Sequence, residues 1–134
     1  MPAIILVAFI LNLIWENAHA QLYIGYQGFL SFFLIGFRST FGDVLIILFL
    51  YYLFSSLTHD PFWFRKNIFK MWCLLAGILI AIFIEINAIS IGRWAYTSYM
   101  PLIPFINVGI SPVLQMMILP LLTFSIVDRM IKKN

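Results

Sequence analysis

Glu16 and His19 stand three residues apart in a run that is otherwise almost wholly apolar. On a helix this spacing puts a carboxylate and an imidazole on one face. Such a pair recurs in carboxylate-bridged di-metal helical bundles, where other helices add further carboxylates. Asp43 and Glu85 are the acids that could be added here. Di-metal bundles normally contain two Glu-x-x-His pairs, and this chain has one. No cofactor is therefore predicted, and a divalent metal at Glu16, His19, Asp43 and Glu85 is kept as an alternative.

Glu85 is the second focus. It ends an apolar run and is followed by Asn87, Arg93, Trp94, Tyr96, Tyr99, Pro101 and Pro104. Counting from the middle of that run at 1.5 Å per residue places Glu85 roughly 10 Å from its centre. That is inside a hydrocarbon half-thickness of about 15 Å. A carboxylate facing lipid there costs about 2–3.5 kcal/mol, so Glu85 must face protein or a wet cavity. Cys73, Gly77, Ala81, Glu85 and Ala88 recur at four- and three-residue spacing and form one face of small residues. Glu85 is expected on that face, either as a structural carboxylate paired with Arg93 or Gln115, or as an acid or base beside Arg93. Arg93 would then hold an anionic head group.

The remaining polar residues have simpler readings beside the chemical ones. Thr40-x-x-Asp43 fits a helix start, so Asp43 reads as a cap as well as a ligand. Asn87 and Ser90 can bond the end of their own helix. Gln115 suits a bond between helices. Trp94, Tyr96 and Tyr99 read as an aromatic belt at a membrane interface. Glu85 and Arg93 are thus the expected catalytic centre, with Glu16, His19, Asp43, Asn87 and Gln115 as expected binding residues.

Composition says what must position them. Of 134 residues, 63% are hydrophobic and 10% charged, with mean hydropathy +1.03. A soluble domain needs more polar surface than this. In a bilayer only helices or a closed barrel satisfy the backbone, and the apolar runs here are continuous rather than alternating. The expectation is an all-α polytopic membrane protein: one domain, with four transmembrane helices in a bundle and two semi-apolar outer loops. The spans fall at about 3–20, 40–57, 68–91 and 112–130. Residues 28–37 are apolar for only half a span and read as a re-entrant or interfacial segment. Asp60-Pro61 reads as a helix cap and first turn. Phe62, Trp63, Phe64 and Phe69, among Arg65, Lys66 and Lys70, read as a basic aromatic edge of the membrane. Pro120 is expected to kink the last helix.

The loop after the second span and the C-terminal tail each hold three basic residues, against one each, Arg38 and Arg93, in the other loops. The positive-inside rule puts both termini in the cytoplasm of a cell-membrane protein. Ala18-His19-Ala20 mimics a signal-peptide cleavage site but lacks a basic region before it. The lone Cys73 excludes an intrachain disulfide. No basic stripe suggests nucleic acid. The partners expected are the lipid bilayer and either further copies of the chain or another membrane protein.

There is no G-x-S-x-G, P-loop or H-E-x-x-H motif. Size alone favours a scaffold or accessory subunit. The alternative is a membrane-embedded enzyme acting on a lipid or isoprenoid-like substrate, with Glu85 as acid or base. A small transporter is a second alternative. It is weakened by the scarcity of polar groups (Ser55, Ser56, Cys73) in the other half of the spans.

Overall fold

A computed structural model of the chain describes residues 1–25 and 29–133, leaving aside the side chains of 29–33. Four helices, each long and apolar enough to cross a membrane, pack as a bundle. Helix α1 is Pro2–His19, α2 Phe29–Thr58, α3 Asn67–Ser90 and α4 Ile110–Lys133. Helix α1 packs on α2 and α4, and α3 packs on α4. The large apolar side chains Leu6, Ile14, Leu45, Phe49, Leu79 and Phe83 point outward, as lipid-facing positions must.

Helix α1 starts with proline in its first turn, where no amide hydrogen is needed. It buries one stripe, Ile4, Ala8, Asn12, Glu16 and His19, and continues into a 3-10 turn, Ala20–Leu22.

The second helix differs from the sequence expectation. Residues 28–37 are not a separate re-entrant segment. Gly28 lies outside the described residues, and from Phe29 onward the chain is already α2. At 30 residues the helix is roughly 45 Å long, more than the membrane's hydrocarbon requires. Thr40 is interior to it, and its hydroxyl donates back to the Gly36 carbonyl at 2.8 Å. Asp43 is therefore no helix cap. The Thr-x-x-Asp pattern lies in mid-helix, where it points a carboxylate into the bundle.

The turn after α2 also differs. The Asp60 carboxylate accepts the Phe62 amide hydrogen at 2.8 Å, a 3-10 turn covers Trp63–Arg65, and α3 starts only at Asn67. Trp63 and Phe64 do not edge the membrane. They are buried against Phe54 and Phe124, with Phe64 stacked on Phe124 at 5.5 Å. An aromatic plug fills this end of the bundle. Around it Arg65 and Lys132 both bind Asp128, at 2.6 and 2.7 Å.

Helix α3 buries Cys73, Gly77, Ala81, Glu85 and Ala88, the small-residue face expected from spacing. Gly77 permits the closest approach. A Cβ there would collide with the Met116 carbonyl oxygen of α4. Pro120, inside α4, has no amide hydrogen for that same carbonyl. Helix α3 ends in a Schellman turn. Gly92 takes positive φ (67°), Arg93 N–H bonds Ala88 O at 2.8 Å and Gly92 N–H bonds Ile89 O at 3.0 Å.

Beyond it lies a two-stranded hairpin, β1 (Leu102–Ile103) and β2 (Val108–Gly109), paired antiparallel with Leu102 opposite Gly109. The segment before the hairpin is tied to the segment after α1. Tyr23 and Tyr96 form a bridge, with Ile24 N–H to Ala95 O and Thr97 N–H to Leu22 O, both 2.9 Å. Two connections are thus zipped into one cover over the end of the bundle away from the termini.

Candidate functional site

Beneath that cover the helices bring their rare polar groups together. Helix α1 supplies Asn12, Glu16 and His19 from its buried stripe. Helix α4 supplies Ser111 and Gln115, one turn apart, and α2 supplies Asp43. The Gln115 amide nitrogen lies 3.0 Å from Asn12 Oδ1, 3.0 Å from Glu16 Oε1 and 2.9 Å from Asp43 Oδ2. Asn12 is oriented by its own amide, which donates to Ala8 O at 2.8 Å. His19 Nε2 is 3.2 Å from Glu16 Oε1, and His19 Nδ1 is 2.8 Å from Ser111 Oγ.

A proton count orders this network. An amide NH2 has two hydrogens, and three acceptors surround it. The count closes when His19 carries its proton on Nε2 and donates it to Glu16. Gln115 then divides its two hydrogens among Asn12, Asp43 and Glu16. That tautomer leaves Nδ1 with a lone pair facing the Ser111 hydroxyl. Among the described residues no lysine or arginine pairs with Glu16, Asp43 or Glu85. Neutral donors and one imidazole satisfy the acids.

Glu85 has a separate set of partners. Trp94 Nε1 donates to its Oε2 at 3.2 Å, and the Tyr96 hydroxyl donates to the same oxygen. The Tyr23 hydroxyl is 3.5 Å from Oε1. Tyr96 in turn accepts the Gly109 amide hydrogen at 2.9 Å, so one phenol joins α3, the cover and the start of α4. Burial, and then the bond to Glu85, push the Tyr96 hydroxyl well above its ordinary pKa. Tyr23 links the two sets, its ring 5.4 Å from that of His19.

A half-open cavity of about 440 Å³ adjoins the first set. His19, Gln21 and Ser111 are the polar part of its wall, and Trp15, Ala18, Leu22 and Tyr99 give the rest a mostly apolar character. The Trp15 indole nitrogen is buried and has no acceptor among the described residues.

The structure therefore brings together Glu16, His19, Asp43 and Gln115, and sets Glu85 beside them on other partners. It does not bring in Arg93 or Asn87. Arg93 is exposed, with its guanidinium 5.4 Å from the Trp94 ring centre, so the expected Glu85–Arg93 pair is not formed. Asn87 is exposed and donates to Phe83 O at 2.7 Å on its own helix. Sequence reasoning missed Asn12 and Ser111, although Asn12-x-x-x-Glu16 and Ser111-x-x-x-Gln115 are both one-turn repeats on buried or half-buried faces. It also missed Trp94, Tyr96 and Tyr23 as donors, having read the first two as belt anchors.

The Gln115 NH2 occupies the space between Glu16 and Asp43, and both His19 nitrogens are engaged. Among the described residues no group of three or more His, Cys, Asp or Glu side chains is placed to hold a metal ion. The chain matches no family model, no curated protein and no solved structure.

Proposed function

We propose that the chain is a membrane-embedded enzyme that performs acid–base chemistry on a lipid or isoprenoid-like substrate, rather than a scaffold or accessory subunit. One observation carries this reading. His19 is only 7% exposed, yet it stands in the wall of a mostly apolar cavity with its ring held between Glu16 and Ser111. A network serving only to tie helices together has no need of an imidazole facing a cavity. Enzymes do need one there, because a base must be positioned before it is useful. His19 is the acid–base group of this proposal. Glu16 orients it, and the Gln115 amide, which also bonds Asn12 and Asp43, lies 3.0 Å from the same Glu16 oxygen. Glu85 fastens the cover and is not the base, since aromatic donors already occupy it.

The aromatic plug of Phe54, Trp63, Phe64 and Phe124 argues against a transporter, because a path would have to cross it. Arg65, Lys66, Lys70, Arg129, Lys132 and Lys133 flank the plugged end. We assign that end, with both termini, to the cytoplasmic face of the cell membrane.

The test is turnover by purified protein in bilayers of mixed phospholipid and polyisoprenoid, with products read by mass spectrometry. His19→Ala should lower the rate at least about 100-fold, as loss of a general base does, while its unfolding midpoint stays near that of the wild type. Equal turnover by His19→Ala and wild type, or no product from any lipid, would refute the proposal.

A further inference from the structure

We propose that Ser111 is a nucleophile and that the substrate is an ester-linked lipid, cleaved through an acyl-Ser111 intermediate. This rests on the enzyme reading above and narrows it to acyl transfer to water.

The arrangement has the three parts such chemistry needs. The Ser111 hydroxyl is 2.8 Å from His19 Nδ1, within reach for proton transfer. His19 Nε2 is 3.2 Å from Glu16, which orients the ring and favours the tautomer with its proton on Nε2. Ser111 and His19 both line the cavity, so a substrate there meets nucleophile and base together. The two ring nitrogens exchange their usual duties, which changes the order along the imidazole but not the logic.

The start of α4 adds a donor. A helix leaves the first four amide hydrogens without partners inside the helix. In α4 these belong to Gly109, Ile110, Ser111 and Pro112. Gly109 N–H bonds Tyr96 Oη at 2.9 Å, and Ile110 N–H bonds Pro101 O at 2.8 Å. Pro112 has none. The Ser111 N–H alone is left without an acceptor among the described residues. A nucleophile's own amide hydrogen commonly helps hold the oxyanion of acyl transfer. The positive end of the helix dipole favours the same charge.

The apolar remainder of the cavity suits an acyl chain, and its volume of about 440 Å³ falls within the range of ligand sites. In the first step the Ser111 proton passes to His19 Nδ1 as Oγ bonds the ester carbonyl carbon. The ester C–O bond then breaks, and the leaving alcohol takes the proton from His19. In the second step a water gives a proton to Nδ1 and attacks the acyl carbon. The Oγ–C bond breaks, and Oγ recovers the proton. One ester and one water become one carboxylic acid and one alcohol, with no change of oxidation state.

The test is labelling of the protein in vesicles by a long-chain alkyl fluorophosphonate, with the adduct located by peptide mass spectrometry. Hydrolysis of a diacyl phospholipid is followed in parallel. The expected result is a single adduct on Ser111, absent from Ser111→Ala and at least about 100-fold slower in His19→Ala. Labelling elsewhere, no labelling of the wild type, or full hydrolysis by Ser111→Ala overturns the nucleophile. If Ser111→Ala retains turnover that His19→Ala loses, the acid–base function stands and only this inference falls. If no lipid is turned over by the wild type, both fall. Should Ser111→Ala not fold, Ser111→Cys decides. Its hydrolysis must become sensitive to a thiol-alkylating agent that leaves the wild type, whose Cys73 is buried, unaffected. Insensitivity overturns the proposal.

Discussion

Removing the Glu85 carboxylate should unfasten the cover from the bundle without dissolving the bundle. Glu85 is 5% exposed and accepts from Trp94 and Tyr96, with Tyr23 at the limit of bonding distance. Glu85→Ala leaves two close donors without their acceptor. At about 1–3 kcal/mol for each buried donor orphaned, the loss is about 2–6 kcal/mol, with the lower half expected because water can enter beneath a loosened loop. Tyr96→Phe removes the same link from the other side and also releases the Gly109 amide, and should cost about 1–3 kcal/mol.

The double variant tests whether these are one interaction. Side-chain hydrogen bonds between transmembrane helices couple by about 0.6 kcal/mol on average and at most about 1.7. A close carboxylate–phenol bond should fall in the upper part of that range. The assay is equilibrium unfolding in mixed detergent micelles for wild type, both single variants and the double variant. Amide exchange should rise across residues 92–109 in Glu85→Ala and stay slow around Trp63 and Phe124. If the two single effects add to within about 0.3 kcal/mol, Glu85 and Tyr96 are not coupled. The assignment of Glu85 to the cover would then be wrong.

Three further outcomes follow from the packing. Gly77→Ala should destabilise the bundle by about 1–3 kcal/mol by overpacking. Its Cβ meets the Met116 carbonyl, a backbone atom that cannot rotate aside, and unchanged unfolding would mean that α3 and α4 lie further apart. Gln115→Leu removes a donor surrounded by three oxygens, and should cost about 2–4 kcal/mol in the same detergent titration. The pH dependence centres on Tyr96, whose folded pKa is raised above 10 first by burial and then by Glu85. The unfolded phenol ionises first as pH rises, so the stability that Tyr96 contributes should be flat below about pH 10 and fall above it. Tyr96→Phe should lose part of that fall in thermal melts between pH 8 and 11.

The fold was largely legible because its signals are periodic. The buried face of α3 follows from four- and three-residue spacing, and the gathering of Glu16, His19, Asp43 and Gln115 follows from helices that alternate in direction. What was misread depends on context beyond a short window. Thr40-x-x-Asp43 has the same letters at a helix start and in a helix interior. Only the length of α2, which outruns the membrane, distinguishes them. Arg93 follows Glu85 closely in sequence, but the left-handed turn at Gly92 redirects the chain and leaves Arg93 on the rim. Trp94 and Tyr96 have apolar bodies and polar tips, and sequence does not say where the tip will find its acceptor. Asn12 did carry a readable signal, since an amide alone in an apolar run needs a partner.

Energetics identified which acids needed partners, and the nature of the partners separates their roles. Both Glu16 and Glu85 are buried carboxylates that, among the described residues, pair with no lysine or arginine. Glu85 is held by indole and phenol donors that belong to the cover, so its bonds are spent on closing the end of the bundle. Glu16 is held by an amide that it shares and by an imidazole whose far nitrogen faces a hydroxyl at a cavity. A lysine or arginine in place of Gln115 would pair Glu16 more firmly, but it would compete with His19 for the carboxylate and weaken its hold on the ring. A neutral amide satisfies the acid while leaving it free to orient the base. The arrangement thus keeps one carboxylate for structure and leaves the other available to chemistry, and Tyr23 is the side chain through which a change at either would be felt at the other.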